Sequence, residues 1–303
     1  MIATKNRVEP FPRARKVGLG GRRPQSKQYG GTDMFIDFPQ INDLLGTNYL
    51  RTDVPQYPFR LWAEDMVQLH ALGHFTILMS PKTGGDMDMT LKHLQFQFRN
   101  KLGSGKLFHD YTVYEKQEVW FDPDWCAKER FFMEQTPKFE RRIVAPAIIP
   151  GSADEDYFVQ TEMIEDFLLG KVYKNINKLP LAYADAVQEF RSRKKDLAKM
   201  IKLVDWDVCS QHYVNLKLNR IFRMTPVETA FCVIIYQMLN GKCILENTAH
   251  ATSVRPSYGD IVSIGGFNQD GGLIVHDKPS KKDACTGVLF SQPVDPDSLI
   301  LDI

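Results

Sequence analysis

The segment from 225 to 241 constrains the fold more than any other part of this sequence. Its residues are TPVETAFCVIIYQMLNG. Thr225 and Glu228 have the spacing of a capping box, Pro226 takes the first helical position, and Gly241 is a natural stop, so the segment predicts a helix. The middle of that helix is apolar on nearly every side. Because such a helix must be enclosed by other elements, we expect it at the centre of a folded body.

Several other segments have the composition of strands. Residues 74–80 (HFTILMS) predict a short buried strand, and 107–121 are rich in the aromatic and β-branched residues typical of a strand or hairpin. Residues 139–151 predict a strand interrupted by Pro146. After 241, short apolar runs alternate with Gly, Pro, Asn and Asp clusters, which indicates a small antiparallel unit, with a barrel-like form as one version of it and 265–272 as a hairpin loop.

The first half of the chain also contains helix signals. Residues 58–73 place apolar side chains at helical spacing and end at Gly73. Residues 89–100 fit either a helix or a strand, and we favour a helix because Thr90 can cap it. Asp122, followed by proline, predicts the start of another helix.

The region from 152 to 204 is more helical. Residues 152–155 (SADE) have capping-box spacing, and Gly170 is expected to end that helix. A further helix is predicted by apolar residues spaced alternately three and four positions apart. They are Tyr183, Ala186, Phe190, Leu197, Met200 and Val204, and Arg193 takes the one position of the series that is not apolar. This stripe indicates a helix that faces the core of its own chain, with a self-association helix as the alternative. The run RSRKK at 191–195 faces mostly away from the stripe.

These signals together predict an α+β fold in three parts. Residues 1–31 form an extended basic arm, residues 32–240 form a mixed helical and strand body with a helical second half, and residues 241–303 form the small antiparallel β unit.

The arm holds most of the information about function. It has eight basic residues and one acidic residue, a net charge of +7, whereas the remaining chain has 30 basic and 36 acidic residues, a net charge of −6. The arm is also rich in glycine and proline and has few apolar side chains. It therefore cannot bury enough surface to order by itself, and we expect it to become ordered on an anionic surface.

Arginine and lysine in the arm suit two kinds of partner. A guanidinium group forms paired hydrogen bonds with carboxylates as well as with phosphates, and each cation that contacts a phosphate releases a counterion. The predicted contacts to a protein partner or to nucleic acid are Arg7, Arg13, Arg15, Lys16, Arg22, Arg23 and Lys27.

Two glycine-rich segments fail the tests for nucleotide-binding loops. In VGLGGRR the third glycine of the dinucleotide fingerprint is replaced by Arg23, and no buried strand precedes it. In GSGKL the first P-loop glycine is replaced by Asn100, and Leu107 stands where a magnesium-binding hydroxyl is needed. The sequence therefore predicts no cofactor.

The sequence gives only weak support for a metal site. His70 and His74 have helical ligand spacing, but Gly73 separates them and Ala71 stands where an HExxH motif has its glutamate. Asp86 and Asp88 lie on a glycine-rich loop after a predicted strand. Paired carboxylates of this kind can hold magnesium or manganese, so they are the candidates for a metal-dependent activity.

Composition limits where the protein functions. The five cysteines are odd in number, widely spaced and lack a CxxC pair, which indicates free thiols in a reducing compartment. No apolar run approaches the roughly 18 to 20 residues that a membrane span requires. We expect no membrane partner, synthesis in the cytoplasm, and a final location either there or in a virion.

The sequence favours a non-enzymatic assembly subunit of a large complex. We expect that complex to be a virus or phage particle, with this protein in its shell, connector or tail. Its partners would be protein subunits of the same assembly, in a homo- or hetero-oligomer, or nucleic acid. One alternative is a metal-dependent enzyme that acts on phosphate-containing substrates through Asp86 and Asp88. The other is a nucleic-acid-binding accessory factor.

Overall fold

The computed structural model describes much of the chain outside the N-terminal arm. The described residues are 35–55, 63–98, 108–110, 113–114, 117–118, 126–174, 176–202, 205–257, 259–268, 271–277, 279–280, 282 and 284–294. Within them the protein has an α+β fold, as predicted.

The α-helices are α1 (Phe38–Leu45), α2 (Ala63–Ala71), α3 (Leu91–Phe98), α4 (Arg130–Met133), α5 (Tyr157–Phe167), α6 (Leu181–Met200), α7 (Trp206–Val214), α8 (Lys217–Phe222) and α9 (Pro226–Asn240). The strands are β1 (Phe35–Ile36), β2 (Phe75–Leu78), β3 (Phe108–Asp110), β4 (Val113–Tyr114), β5 (Gln117–Glu118), β6 (Arg141–Val144), β7 (Ala249–Ala251), β8 (Ile261–Asn268), β9 (Gly271–Asp277), β10 (Thr286–Gly287) and β11 (Ser291–Val294). Short 3-10 helices span Arg51–Asp53, Cys126–Lys128 and Ile176–Lys178.

Helix α9 is the central helix that its sequence predicts. The Thr225 hydroxyl accepts a hydrogen bond from the Glu228 amide at 3.3 Å, and the Glu228 carboxylate accepts one from the Thr225 amide at 2.9 Å, which completes the capping box. Gly241 ends the helix in the left-handed conformation, with φ 67°. Every residue from Pro226 to Tyr236 is buried, and the helix packs against α3, α4 and β8.

The strands form two main sheets. The first has the order β1-β2-β6-β11, with β1 parallel to β2 and the other pairs antiparallel. The second has the order β10-β7-β8-β9-β3. Its centre is antiparallel, as predicted, but its edge strands β10 and β3 run parallel to their neighbours, so it is an open mixed sheet.

Strands β4 and β5 pair as an antiparallel ladder within the segment that predicts strands or a hairpin. The hairpin loop predicted at 265–272 is shorter than expected, because β8 continues to Asn268 and β9 begins at Gly271.

Local signals in the first half of the chain are mostly confirmed. Strand β2 is buried at all four positions, and β6 ends before Pro146. Helix α3 forms where the pattern was ambiguous, and the Thr90 hydroxyl accepts a hydrogen bond from the His93 amide at 3.2 Å. The helix start predicted at Asp122 lies outside the described residues.

Two predicted signals around α5 are wrong. The helix begins at Tyr157 rather than after Ser152, and its N-cap is Asp156, whose carboxylate accepts a hydrogen bond from the Val159 amide at 3.0 Å. Gly170 does not end the helix, because a π-helical turn continues it over Leu168–Val172. The Ser152 hydroxyl instead accepts a hydrogen bond from the Val288 amide at 3.0 Å.

Pairing crosses the predicted boundary between body and β unit in both directions. Strand β11 lies beside β6 in the first sheet, and β3 lies beside β9 in the second. The division at residue 240 stays a prediction. Among the helices that the structure describes, none combines the length and the hydropathy that a membrane span requires.

Candidate interface for an anionic partner

The seven predicted contact residues of the arm lie outside the described part of the chain. Their role therefore stays a prediction, and the candidate interface is built from the described residues of the body. The body offers one helix with a dense set of basic residues, α6, which contains the RSRKK run.

Helix α6 is held in place by its apolar stripe. Tyr183, Ala186, Phe190 and Leu197 are buried in the core of the same chain, and the helix packs against α5 and α8. This outcome fits the core-facing interpretation of the stripe; Met200 is half-buried and Val204 lies outside the described residues. The Tyr213 hydroxyl also donates a hydrogen bond to the Leu197 carbonyl at 2.8 Å, which fastens the C-terminal half of the helix.

Basic side chains at the edges of the buried stripe are neutralised by their own chain. The Arg193 guanidinium lies 3.4 Å from the Glu189 carboxylate and 3.0 Å from Nδ1 of His212. The Lys194 ammonium lies 2.9 Å from Glu162, and this hydrogen bond raises the pKa of Lys194.

Arg191 is also paired, with the largely buried carboxylate of Glu165. The RSRKK run therefore contains three cations with carboxylate partners inside the molecule.

The cations farthest from the core form a different group. Lys195, Lys199 and Lys202 are exposed, and each has no ion-pair partner among the residues that the structure describes. We call these three residues the lysine row. With 100° per residue, positions 195, 199 and 202 lie within about 60° of each other around the axis, on the side of α6 opposite to the buried stripe.

Lys202 lies two residues beyond the end of α6, in a turn that continues the helix on the same side as the row. Ile201 has helical backbone angles, φ −60° and ψ −20°, and the Lys202 amide donates a hydrogen bond to the Lys199 carbonyl at 3.1 Å. The sequence interpretation missed this row because it took the contiguous run 191–195 as one unit. The i, i+4, i+7 spacing of the three lysines was the signal that could have found it.

Asp86 and Asp88 are the other predicted site residues, and both are exposed on the loop between β2 and α3. The Asp86 carboxylate forms an ion pair with Lys82 at 2.7 Å, and its backbone is left-handed, with φ 57°. Backbone bridging between Lys82 and Asp88 closes the loop. The described residues contain no cluster of three His, Cys, Asp or Glu side chains that could hold a metal ion.

His70 and His74 do not share a helical face. Helix α2 ends at Ala71, and Gly73 has φ 83°. The His70 ring lies 3.2 Å from the Thr76 hydroxyl, whereas the His74 ring packs against Phe167 and Phe290. Burial lowers the pKa of His74 to about 4, so the ring is neutral near pH 7.

A buried guanidinium group, which the sequence interpretation missed, links helices α5 and α8 to strand β7. Arg223 is buried and stacks over the Tyr157 ring at 3.8 Å. It donates hydrogen bonds to the Asn219 side chain at 2.9 Å and to the Ala251 carbonyl at 2.8 Å. Burial lowers the pKa of Arg223 to about 10, and the interaction with Tyr157 partly offsets this effect.

With its donors satisfied by core groups, Arg223 stabilises the fold and is not available to a substrate. Cys209, which is buried, and Cys243, which is half-buried, are also unsuited to nucleophilic chemistry, because the thiolate is the reactive form. Burial raises the pKa of Cys209 and of Cys243 to about 11, which keeps both thiols protonated near pH 7.

Comparison of the chain with protein-family models, with curated proteins and with solved structures finds no match in any of the three.

Proposed function

We propose that this protein is a non-enzymatic assembly subunit of a large complex, of the kind that builds the shell, connector or tail of a virus or phage particle. Its basic N-terminal arm would lie on a neighbouring subunit or on nucleic acid and hold the body in place. The observation that carries this proposal is the separation of charge, +7 in residues 1–31 against −6 in the rest of the chain.

The physical argument is that the arm cannot offset its own ordering entropy. It has too few apolar side chains to form a core, but its cations gain charge-assisted hydrogen bonds on an anionic surface. The body has an excess of acidic residues, so the acidic surface of a second copy is one suitable partner. Nucleic acid is the other.

Deletion of residues 1–31 tests the proposal. We expect the shortened chain to keep the circular dichroism spectrum of a folded α+β protein but to lose the higher-order species seen for the full chain by analytical ultracentrifugation. A chain with the arm residues in shuffled order, at unchanged composition, is the control for charge alone. Unchanged assembly after the deletion would overturn the proposal.

A nucleic-acid-binding accessory factor is the second candidate, and the exposed lysine row on the body favours it. The two candidates differ in what the complete protein does without nucleic acid. An assembly subunit still forms higher-order species after nuclease treatment, whereas an accessory factor becomes a monomer whose nucleic-acid affinity falls steeply with salt.

A metal-dependent enzyme acting on phosphate-containing substrates remains a proposal based on Asp86 and Asp88 alone. The ion pair with Lys82 reduces the negative charge available to a cation at this loop. Calorimetric titration with Mg²⁺ and with Mn²⁺ tests it, and heat of binding that disappears in an Asp86→Asn, Asp88→Asn variant would support it.

A further inference from the structure

The lysine row defines a second candidate contact that belongs to the body rather than to the arm. We propose that Lys195, Lys199 and Lys202 bind the phosphate backbone of a nucleic acid. The inference does not depend on the proposed role of the arm, and it would stand if the arm bound only protein.

The geometry of the row suits a line of phosphates. A helix rises 1.5 Å per residue, so the Cα atoms of Lys195 and Lys199 are about 6 Å apart along the axis, and the row extends about 10 Å to Lys202. Flexible four-carbon side chains allow each ammonium group to follow the path of a strand. Gln188 is exposed two turns before Lys195 on the same side, where its amide can donate to a further phosphate oxygen.

The lack of internal partners makes the row favourable for binding. Arg193 and Lys194 would have to give up carboxylates 3.4 Å and 2.9 Å away before they could bind a phosphate. The three lysines of the row have only counterions to release, and that release is the main source of free energy in nucleic-acid binding.

The surroundings of the row favour a phosphate backbone over an acidic protein. The centres of protein–protein interfaces are enriched in aromatic side chains and depleted in lysine. Among the described residues of α6 the exposed large apolar side chain is Leu181, at the far end of the helix from the row and about 20 Å from Lys195 along the axis. Over residues 182–202 no large apolar side chain is exposed, and Asp196 is the one exposed acidic residue after Asp185. A polar, cationic face without an apolar centre is typical of surfaces that contact phosphates.

The core holds the row in a fixed place. The opposite side of α6 is buried through Phe190 and Leu197, and Tyr213 bonds to the backbone of the helix. Little backbone entropy is therefore lost when the row binds. The contact carries no information on base sequence, because it reaches only the sugar–phosphate backbone.

The test is a salt titration of the full-length protein with a mixed-sequence DNA duplex, followed by fluorescence anisotropy between about 50 and about 200 mM KCl. The test variant carries Lys195→Gln, Lys199→Gln and Lys202→Gln. We expect the slope of log affinity against log salt to become shallower by about 2 to 3, with at least about tenfold weaker binding at the lower salt concentrations.

The matched control removes the same amount of charge from elsewhere on the body. It carries Lys92→Gln, Lys138→Gln and Lys171→Gln, three exposed lysines from separate parts of the chain. We expect this control to keep the wild-type slope. Equal urea midpoints for both variants and the wild type show that folding is unchanged.

Three results would overturn the inference. They are an unchanged slope in the test variant, an equal loss of slope in the control, and a loss of binding to poly-glutamate without any change in the DNA slope. The last result would assign the row to an acidic protein. Failure of the arm proposal is recognised separately, because it is measured by assembly after deletion of residues 1–31.

Discussion

At the scale of single residues, the core contains ionisable groups that hydrophobic patterning does not reveal. Arg142 is buried and donates hydrogen bonds to Glu140 at 2.5 Å and to the Ser291 hydroxyl at 2.8 Å. His250 is buried and accepts a hydrogen bond from the Leu289 amide at 3.0 Å. Because Ser291 and Leu289 lie far away in sequence from Arg142 and His250, residue type and spacing could not predict that these basic residues are internal.

The buried His74 ring should make the stability of the protein depend on pH. Burial lowers the pKa of His74 to about 4, against about 6.5 in an unfolded chain. Between these values the unfolded state binds the proton more readily, so the free energy of unfolding falls as the pH falls from about 6.5 towards 4. The full contribution is about 3 kcal/mol.

Urea unfolding of the wild type and of a His74→Gln variant, at several pH values between about 7 and 4, measures this effect. The variant loses stability at neutral pH, because a polar amide replaces a ring that packs on two phenylalanines, but we expect its stability to fall less on acidification. The test is the pH dependence of the free energy of unfolding, and the loss of stability at neutral pH is not part of it. Parallel pH curves for the two proteins would show that His74 is not the source.

At the scale of elements, local sequence signals correctly predicted most of the features that depend on residues a few positions apart. The capping box of α9 and the Thr90 cap of α3 were correct, because a cap forms between residues three positions apart. The cap predicted at Ser152 was wrong because its hydroxyl bonds to Val288, which is distant in sequence. Finding the lysine row requires two things, the spacing of its residues along α6 and the knowledge of which cations are paired. The sequence supplies the spacing, and only the structure supplies the pairing.

The loop that carries Asp86 and Asp88 packs closely on the end of α1. The Gly84 amide donates a hydrogen bond to the Leu45 carbonyl at 3.0 Å, and a Cβ atom on Gly84 would lie 1.6 Å from the carbonyl oxygen of Gly46. Since the opposing atom is backbone, it cannot rotate away. A Gly84→Ala change should therefore move the loop and destabilise the protein by about 1 to 3 kcal/mol.

Gly85 is the matched control, because a Cβ atom there meets only the Thr83 hydroxyl at 3.9 Å. We expect Gly85→Ala to change the free energy of unfolding by less than about 0.5 kcal/mol. Chemical denaturation of both variants compares them directly. Equal stabilities would mean that the close approach of Gly84 to α1 is absent in solution.

At the scale of the whole molecule, the α+β class was predicted, but the way in which the parts join was not. Strand β11 completes the first sheet beside β6, and the Phe290 ring packs against Phe167 and Phe222. These contacts connect residues that the sequence assigns to different parts. Composition changes along the chain mark where segments differ, but they carry no information on which strands pair.

Truncation of the C-terminus tests this connection. A chain ending at residue 280 loses β11 and Phe290, and we expect it to lose its near-ultraviolet circular dichroism and its cooperative thermal transition. A chain ending at residue 294 keeps both features, and we expect it to keep the cooperative transition. A cooperative transition in the shorter chain would instead support an independently folding body over 32–240.

The lysine row lies on the side of α6 that makes no contribution to the core. Substitutions there can strengthen or weaken attraction to a polyanion in small steps while the folded state stays equally populated. A lineage of such proteins could thus adjust how firmly it holds its partner, one exposed charge at a time, without compensating changes in the interior.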